Sequence, residues 1–102
     1  MYISRNLKQW NAFIELLRTA VEQGKEHDLL MLLLTPDERD TFGLRVQIVN
    51  QLLNRDVPQR EIQHNLNTSA ATITRGSNML KTMPPQFIDW VKEQLQQQSE
   101  NN

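Results

Sequence analysis

Cysteine is absent from this chain, which excludes disulfide bridges, thiolate metal sites and cysteine nucleophiles. Long apolar runs are absent as well. The longest spans residues 29–34, far short of the roughly 20 residues that a membrane-crossing helix needs. Residues 1–10 carry Arg5 and Lys8, but no secretory apolar core follows, so a cytoplasmic protein with no membrane partner is expected. Charge of one sign is also lacking: 11 Lys and Arg against 12 Asp and Glu leave a net charge of −1, which argues against a general nucleic-acid coat. The two histidines, His27 and His64, have no metal-ligand spacing, and no metal is expected. Neither a nucleophile–base arrangement nor a phosphate-cradling loop nor a carboxylate cluster in an apolar setting is present, so an enzyme is not expected. At 102 residues the chain is long enough for one domain with a modest core.

What is present reads as helix throughout. Residues 7–23 place Trp10, Phe13, Leu17 and Val21 on one stripe, broadened by Ile14, and Gly24 ends it. Residues 29–34 are Leu and Met without β-branching, which favours helix over strand. Six apolar residues in a row point all round a helix, and a 12.0 kDa monomer has little core to hide them, which suggests burial against a second chain. Thr35-Pro36-Asp37-Glu38 has the form of a capping box with Pro in the first turn. The helix it starts reaches about Asn54 and has two apolar stripes, Phe42/Val46/Val49/Leu53 and Leu44/Ile48/Leu52. Gly43 within it leaves room for another backbone or a ligand. After Met83, Pro84 and Pro85 stop one helix, and a last one spans residues 86–97 with Phe87, Trp90, Val91 and Leu95 on one face. The polar QQQSENN tail is expected to fray.

Residues 59–78, QREIQHNLNTSAATITRGSN, organise the rest and have the pattern of a helix-turn-helix. Ile62 and Leu66 share one face of a first helix. Asn67 stands where the turn commonly uses Gly, and Asn enters the left-handed region at little cost. Thr68 or Ser69 can cap a second helix from Ala70 to about Lys81. Small residues at its start allow close approach to a groove, where a recognition helix touches bases. Gly76 inside this helix costs roughly 1 kcal/mol against Ala, so something needs the space. An ordinary helical hairpin fits the same two-helix pattern. Residues 55–81 carry Arg55, Arg60, Arg75 and Lys81 against Asp56 and Glu61, which makes this the only positive segment. The expected fold is an all-α, six-helix single domain over residues 1–102, with a helix-turn-helix at about 59–81, forming an intertwined homodimer.

LLLTPDERDTFGLRVQIVNQLL (residues 32–53) and QREIQHNLNTSAATITRGSNMLK (residues 59–81) resemble the central helix and the helix-turn-helix of the Trp repressor family, tryptophan-dependent bacterial repressors. With weaker similarity at both ends, the resemblance covers nearly the whole chain. It implies a repressor of tryptophan biosynthesis or transport genes that binds a palindromic double-stranded operator with L-tryptophan as corepressor. Arg45 and Arg75 match the two arginines that sandwich the indole, and a planar guanidinium suits both an aromatic face and a carboxylate. Arg75 would also hold the ligand carboxylate, with Thr35 nearby. Gly76 would let the indole lie against backbone, carbonyls of Leu32 and Leu34 would accept from the ammonium, and Val49 would line the floor. Met79 stands where the family commonly has a Ser near the ligand amino group. DNA contact is implied for Gln59, Arg60, Gln63, Ser69, Ala70, Ala71, Thr72, Thr74 and Lys81. Within that set Gln63 replaces a Lys and Ala70 an Ile, which bears on the operator sequence. Two other functions remain: a relative with a different ligand or none, which Met79 suggests, and a helical dimerisation or adaptor module without DNA binding, which the near-neutral charge fits.

Overall fold

Each apolar periodicity read from the sequence becomes a helix in the structure, a computed structural model that describes residues 6–101. Arg5 and the final Asn102 of the polar tail lie outside the described residues. Among these there is no strand, and six helices follow in order: α1 Leu7–Glu22, α2 Glu26–Leu33, α3 Pro36–Asn54, α4 Gln59–Leu66, α5 Ala70–Lys81 and α6 Pro85–Asn101. The chain divides into two compact units, Met1–Arg39 and Asp40–Asn102.

In the first unit α1 packs on α2. Asn6 caps α1, its Oδ1 accepting from the Gln9 N–H at 3.0 Å. At the other end Gly24 takes φ +71°, a conformation that only residues without a Cβ adopt freely. The Lys25 N–H then reaches back to the Ala20 carbonyl at 2.7 Å, and the Gly24 N–H to Val21 at 3.2 Å. This paired closure satisfies two carbonyls that a helix end otherwise leaves open. Ala20 is buried, Phe13, Leu17, Leu29 and Leu30 are half-buried, and Trp10, Val21, Met31, Leu32 and Leu33 are exposed. The Arg39 guanidinium donates to the Met31 sulfur.

The start of α3 is the expected capping box. Thr35 N–H donates to Glu38 Oε1 at 2.9 Å, and Glu38 N–H donates to Thr35 Oγ1 at 3.1 Å. The bond from the Thr35 backbone, followed by that with its hydroxyl, holds the Glu38 carboxyl below its ordinary range.

The second unit contains the rest of α3 with α4, α5 and α6. Ile48, Ile62 and Ile73, from α3, α4 and α5, are its fully buried side chains. Of the two stripes on α3, the one through Ile48 has Ile48 buried with Leu44 and Leu52 half-buried, while in the other Val49 and Leu53 are half-buried and Phe42 and Val46 stay exposed. Gln51 is buried beside them, its Oε1 accepting from Asn65 Nδ2 at 3.3 Å. The periodicity gave no hint of this polar link, which joins α3 to α4. Asn54 Nδ2 donates to Asn50 Oδ1 at 2.8 Å and to the Lys92 carbonyl of α6 at 3.3 Å. Gly43 has nothing within 4 Å of a hypothetical Cβ, so no group of this chain uses the room it leaves. Helix α6 starts one residue earlier than the sequence suggests, because Pro fits a helical first turn and the Pro84 carbonyl accepts from Phe87 and Ile88. It also runs through most of the tail expected to fray. Gln is a good helix former, and Gln97 adds a contact to Glu93 one turn back at 3.5 Å.

Because the folded carboxyl of Glu38 titrates below an unfolded one, its contribution to the capping box is complete above the ordinary glutamate range and is lost as pH falls through the lower folded value. The Thr35 amide resonance should therefore shift with pH with a midpoint below that of an unstructured Glu, and Glu38→Gln should abolish the transition. A midpoint at or above the unstructured value would contradict the capping role.

Candidate functional site

Helices α3, α5 and α6 enclose a cleft of about 910 Å³ in the second unit, within the range of small-molecule sites. Helix α3 contributes Leu44, Arg45, Ile48 and Val49, and α5 contributes Thr72, Arg75, Gly76, Asn78, Met79 and Leu80. Met83, Phe87, Ile88 and Val91 close the far side. Five residues singled out for a ligand (Arg45, Val49, Arg75, Gly76 and Met79) are thus brought together in the lining of one cleft. Leu32, Leu34 and Thr35 belong to the first unit, and capping alone accounts for the Thr35 hydroxyl. The α6 side was missed. Phe87 and Val91 were legible as an apolar face, but nothing in their spacing says which cavity that face lines.

The chemistry of the cleft is apolar with two cations. Its lining includes no Asp or Glu. Arg45 is exposed, with its guanidinium carbon over the Phe42 ring, 5.6 Å from the ring centroid. Arg75 is also exposed and, among the described residues, forms no ion pair with a carboxylate. An isolated guanidinium beside apolar walls favours a ligand that is both aromatic and anionic. The glycine expected to save space does so: a Cβ on Gly76 would lie 2.9 Å from Ile48 Cγ2.

Helices α4 and α5 pack together through a turn set by two residues. Asn67 adopts φ 50°, ψ 53°, the left-handed conformation that Asn tolerates. Thr68 N–H bonds the Gln63 carbonyl at 3.1 Å and Asn67 N–H bonds that of His64 at 3.3 Å, the same closure as at Gly24. Ser69 then caps α5, its Oγ accepting from Thr72 N–H at 3.2 Å and lying 2.9 Å from Thr72 Oγ1. Ala70, Ala71 and Thr74 are exposed on the first turns of α5, and Lys81 is exposed on its last. Thr72 is half-buried and turns to the cap and the cleft, unlike its neighbours. On α4, Gln59 and Arg60 are exposed and Gln63 is half-buried.

The profile of the Trp repressor protein family matches residues 8–95. The chain belongs to the Trp repressor family. A Trp operon repressor homolog of Pasteurella multocida strain Pm70 is 72% identical over 102 residues, the full length of both chains. Another from Histophilus somni strain 2336 is 67% identical over 99% of this chain and 95% of its own. A third, from Mannheimia succiniciproducens, is 72% identical over 91% of this chain and 92% of its own. The family is one of DNA-binding transcriptional regulators, and the chain is a regulator and not an enzyme. Among the described residues no helix is long and apolar enough to cross a membrane, and no group of three or more His, Asp and Glu is placed to hold a metal ion.

Removing the Ser69 hydroxyl should unwind the first turn of α5, where a lost N-cap costs about 0.5–2 kcal/mol. Urea unfolding of Ser69→Ala should show a lower midpoint with an unchanged slope. An unchanged midpoint would mean that the cap contributes nothing.

Proposed function

We propose that this chain is a homodimeric, cytoplasmic repressor that binds a palindromic operator when L-tryptophan occupies the cleft, and so represses tryptophan biosynthesis or transport genes. The observation that carries the reading is that one helix, α5, has the cleft residues Arg75, Gly76 and Met79 on it and also the exposed Ala70, Ala71 and Thr74. A ligand held by that helix acts on the residues offered to DNA.

In this reading the indole lies between the guanidinium planes of Arg45 and Arg75, above Val49, and Arg75 pairs with its carboxylate. The carboxylate-free lining supports an anionic ligand, and the exposure of Arg45 at the cleft supports stacking. Met79, 62% exposed, offers a thioether to the ligand's amino group where a hydroxyl would hydrogen-bond, so selectivity rests on the ring and carboxylate. Helices α4 and α5 form the helix-turn-helix. Ala70, Ala71 and Thr74 read base edges, Arg60 and Lys81 meet phosphates, and Gln59, Gln63, Ser69 and Thr72 orient the motif on the duplex. The dimer is supported by large apolar side chains left open in a single chain, Leu32 at 80% and Trp90 at 56% exposure among them, since a monomer rarely exposes so much. The 102 residues then act as one functional domain per subunit.

Calorimetric titration of the protein with L-tryptophan, with L-serine as control, tests the ligand. Arg45→Ala and Arg75→Ala should each weaken binding, by about 0.5–2 kcal/mol for a lost cation–aromatic contact, and Arg75→Ala more because it also loses the carboxylate. Normal binding by both variants would put the ligand elsewhere.

Operator affinity measured with and without saturating L-tryptophan, beside a scrambled duplex at fixed salt, tests the coupling. Tryptophan should raise operator affinity by about 1–3 kcal/mol, and operator should raise tryptophan affinity by the same factor. Equal affinities would leave a constitutive DNA binder or a dimerisation module.

A further inference from the structure

Gly76 is half-buried in the middle of α5, a position where glycine weakens a helix. The atom that excludes a side chain there is the Cγ2 methyl of Ile48, which a Cβ would meet at 2.9 Å; the next neighbour, Leu52 Cδ1, is a full ångström farther at 3.9 Å. Ordinary van der Waals contact begins at 3.4 Å, so the shortfall is about half an ångström. Ile48 cannot easily yield. It is 1% exposed, and a β-branched side chain on a helix has essentially one χ1 rotamer.

We infer that Ile48 is a positioning residue for the cleft: its Cγ2 methyl, seated against the bare backbone of Gly76, fixes the separation of α3 and α5 and thereby the gap between Arg45 and Arg75. Arg45 lies one helical turn before Ile48 on α3, and Arg75 is the residue next to Gly76 on α5, so a change in the helix spacing at the contact moves both cations. Ile48 and Gly76 also line the cleft themselves. A binding constellation tolerates displacements of only about 0.5 Å, the size of the displacement that a single added methyl forces here. The glycine is therefore explained by the packing of the protein against itself, with no ligand required. The part of the inference that concerns tryptophan rests on the function proposed above.

The experiment is a double-mutant cycle read by L-tryptophan calorimetry and by crystal structures of the ligand-free dimers. Gly76→Ala should raise the Kd about tenfold, and its structure should show α3 and α5 farther apart by about half an ångström. Ile48→Leu removes the β-methyl while keeping the volume. In that background the same Gly76→Ala change should cost less than about threefold, with the spacing restored. An equal tenfold loss in both backgrounds would mean that the new Cβ obstructs the ligand directly, and would overturn the inference. So would a Gly76→Ala structure in which Ile48 simply rotates while the helices keep their places. If the wild-type protein binds no L-tryptophan, the ligand reading fails, while the helix separations still decide whether Ile48 sets the spacing.

Discussion

Three isoleucine side chains, Ile48, Ile62 and Ile73, are the fully buried residues that hold α3, α4 and α5. Each contributes on the order of 1.5–3 kcal/mol by leaving water, a small total against the conformational entropy of three helices. A core this small leaves the angles between helices undetermined unless something else sets them. Here the setting falls to short-range chemistry: a left-handed Asn67 and a Ser69 cap between α4 and α5, a part-buried Gln51–Asn65 bond between α3 and α4, and the bare backbone of Gly76 against Ile48 between α3 and α5. The cleft is the space left when α5 is held to α3 at that one point and α6 closes the far side.

The features that could be read from the sequence are those whose chemistry is complete within a few residues. The Thr35–Glu38 box, the left-handed Asn67 and the Ser69 cap each link positions at most five apart in the chain, so local spacing specifies them. Gly76 announced itself because a glycine inside a helix needs a reason. Its partner was not legible, since Ile48 lies on another helix 28 residues earlier in the chain. The buried Gln51 fails for the same cause. On α3 it reads as a polar residue between apolar stripes, and only the packed α4 supplies the Asn65 amide that makes its burial tolerable. Likewise the polar residues at the end of the chain suggested a loose tail. Their helical propensity and the long α6 before them carry the helix to Asn101.

Apolar exposure has a different explanation. Met31, Leu32 and Leu33 on α2, Phe42 and Val46 on α3, and Phe87 and Trp90 on α6 are all exposed, although each sits on an apolar stripe or run. Trp90 and Phe87 stack on each other with ring centroids 5.9 Å apart while they remain open to solvent. In the proposed dimer these faces meet a second copy, which makes folding and assembly one event and explains how a chain with four buried apolar residues among those described can be stable at all.

In the proposed function one helix serves both the ligand cleft and the face offered to DNA, and that sharing limits how the two can be coupled. Helix α5 is only 12 residues long, capped at Ser69 and stopped at Thr82 before two prolines. Any group wedged against Arg75 must tilt or steady the same rod that carries Ala71 and Thr74. No chain of intervening residues is needed to carry the effect, because ligand side and exposed side are faces of one element. In that reading the pivot for such a tilt is the contact of Ile48 with Gly76. A ligand bound beside that pivot works with a short lever, while the first turn of α5 lies farther out, so a small change at the cleft becomes a larger one at the helix start. In the proposed repressor, that asymmetry is what would let a molecule as small as an amino acid bias the approach of a whole reading head to DNA.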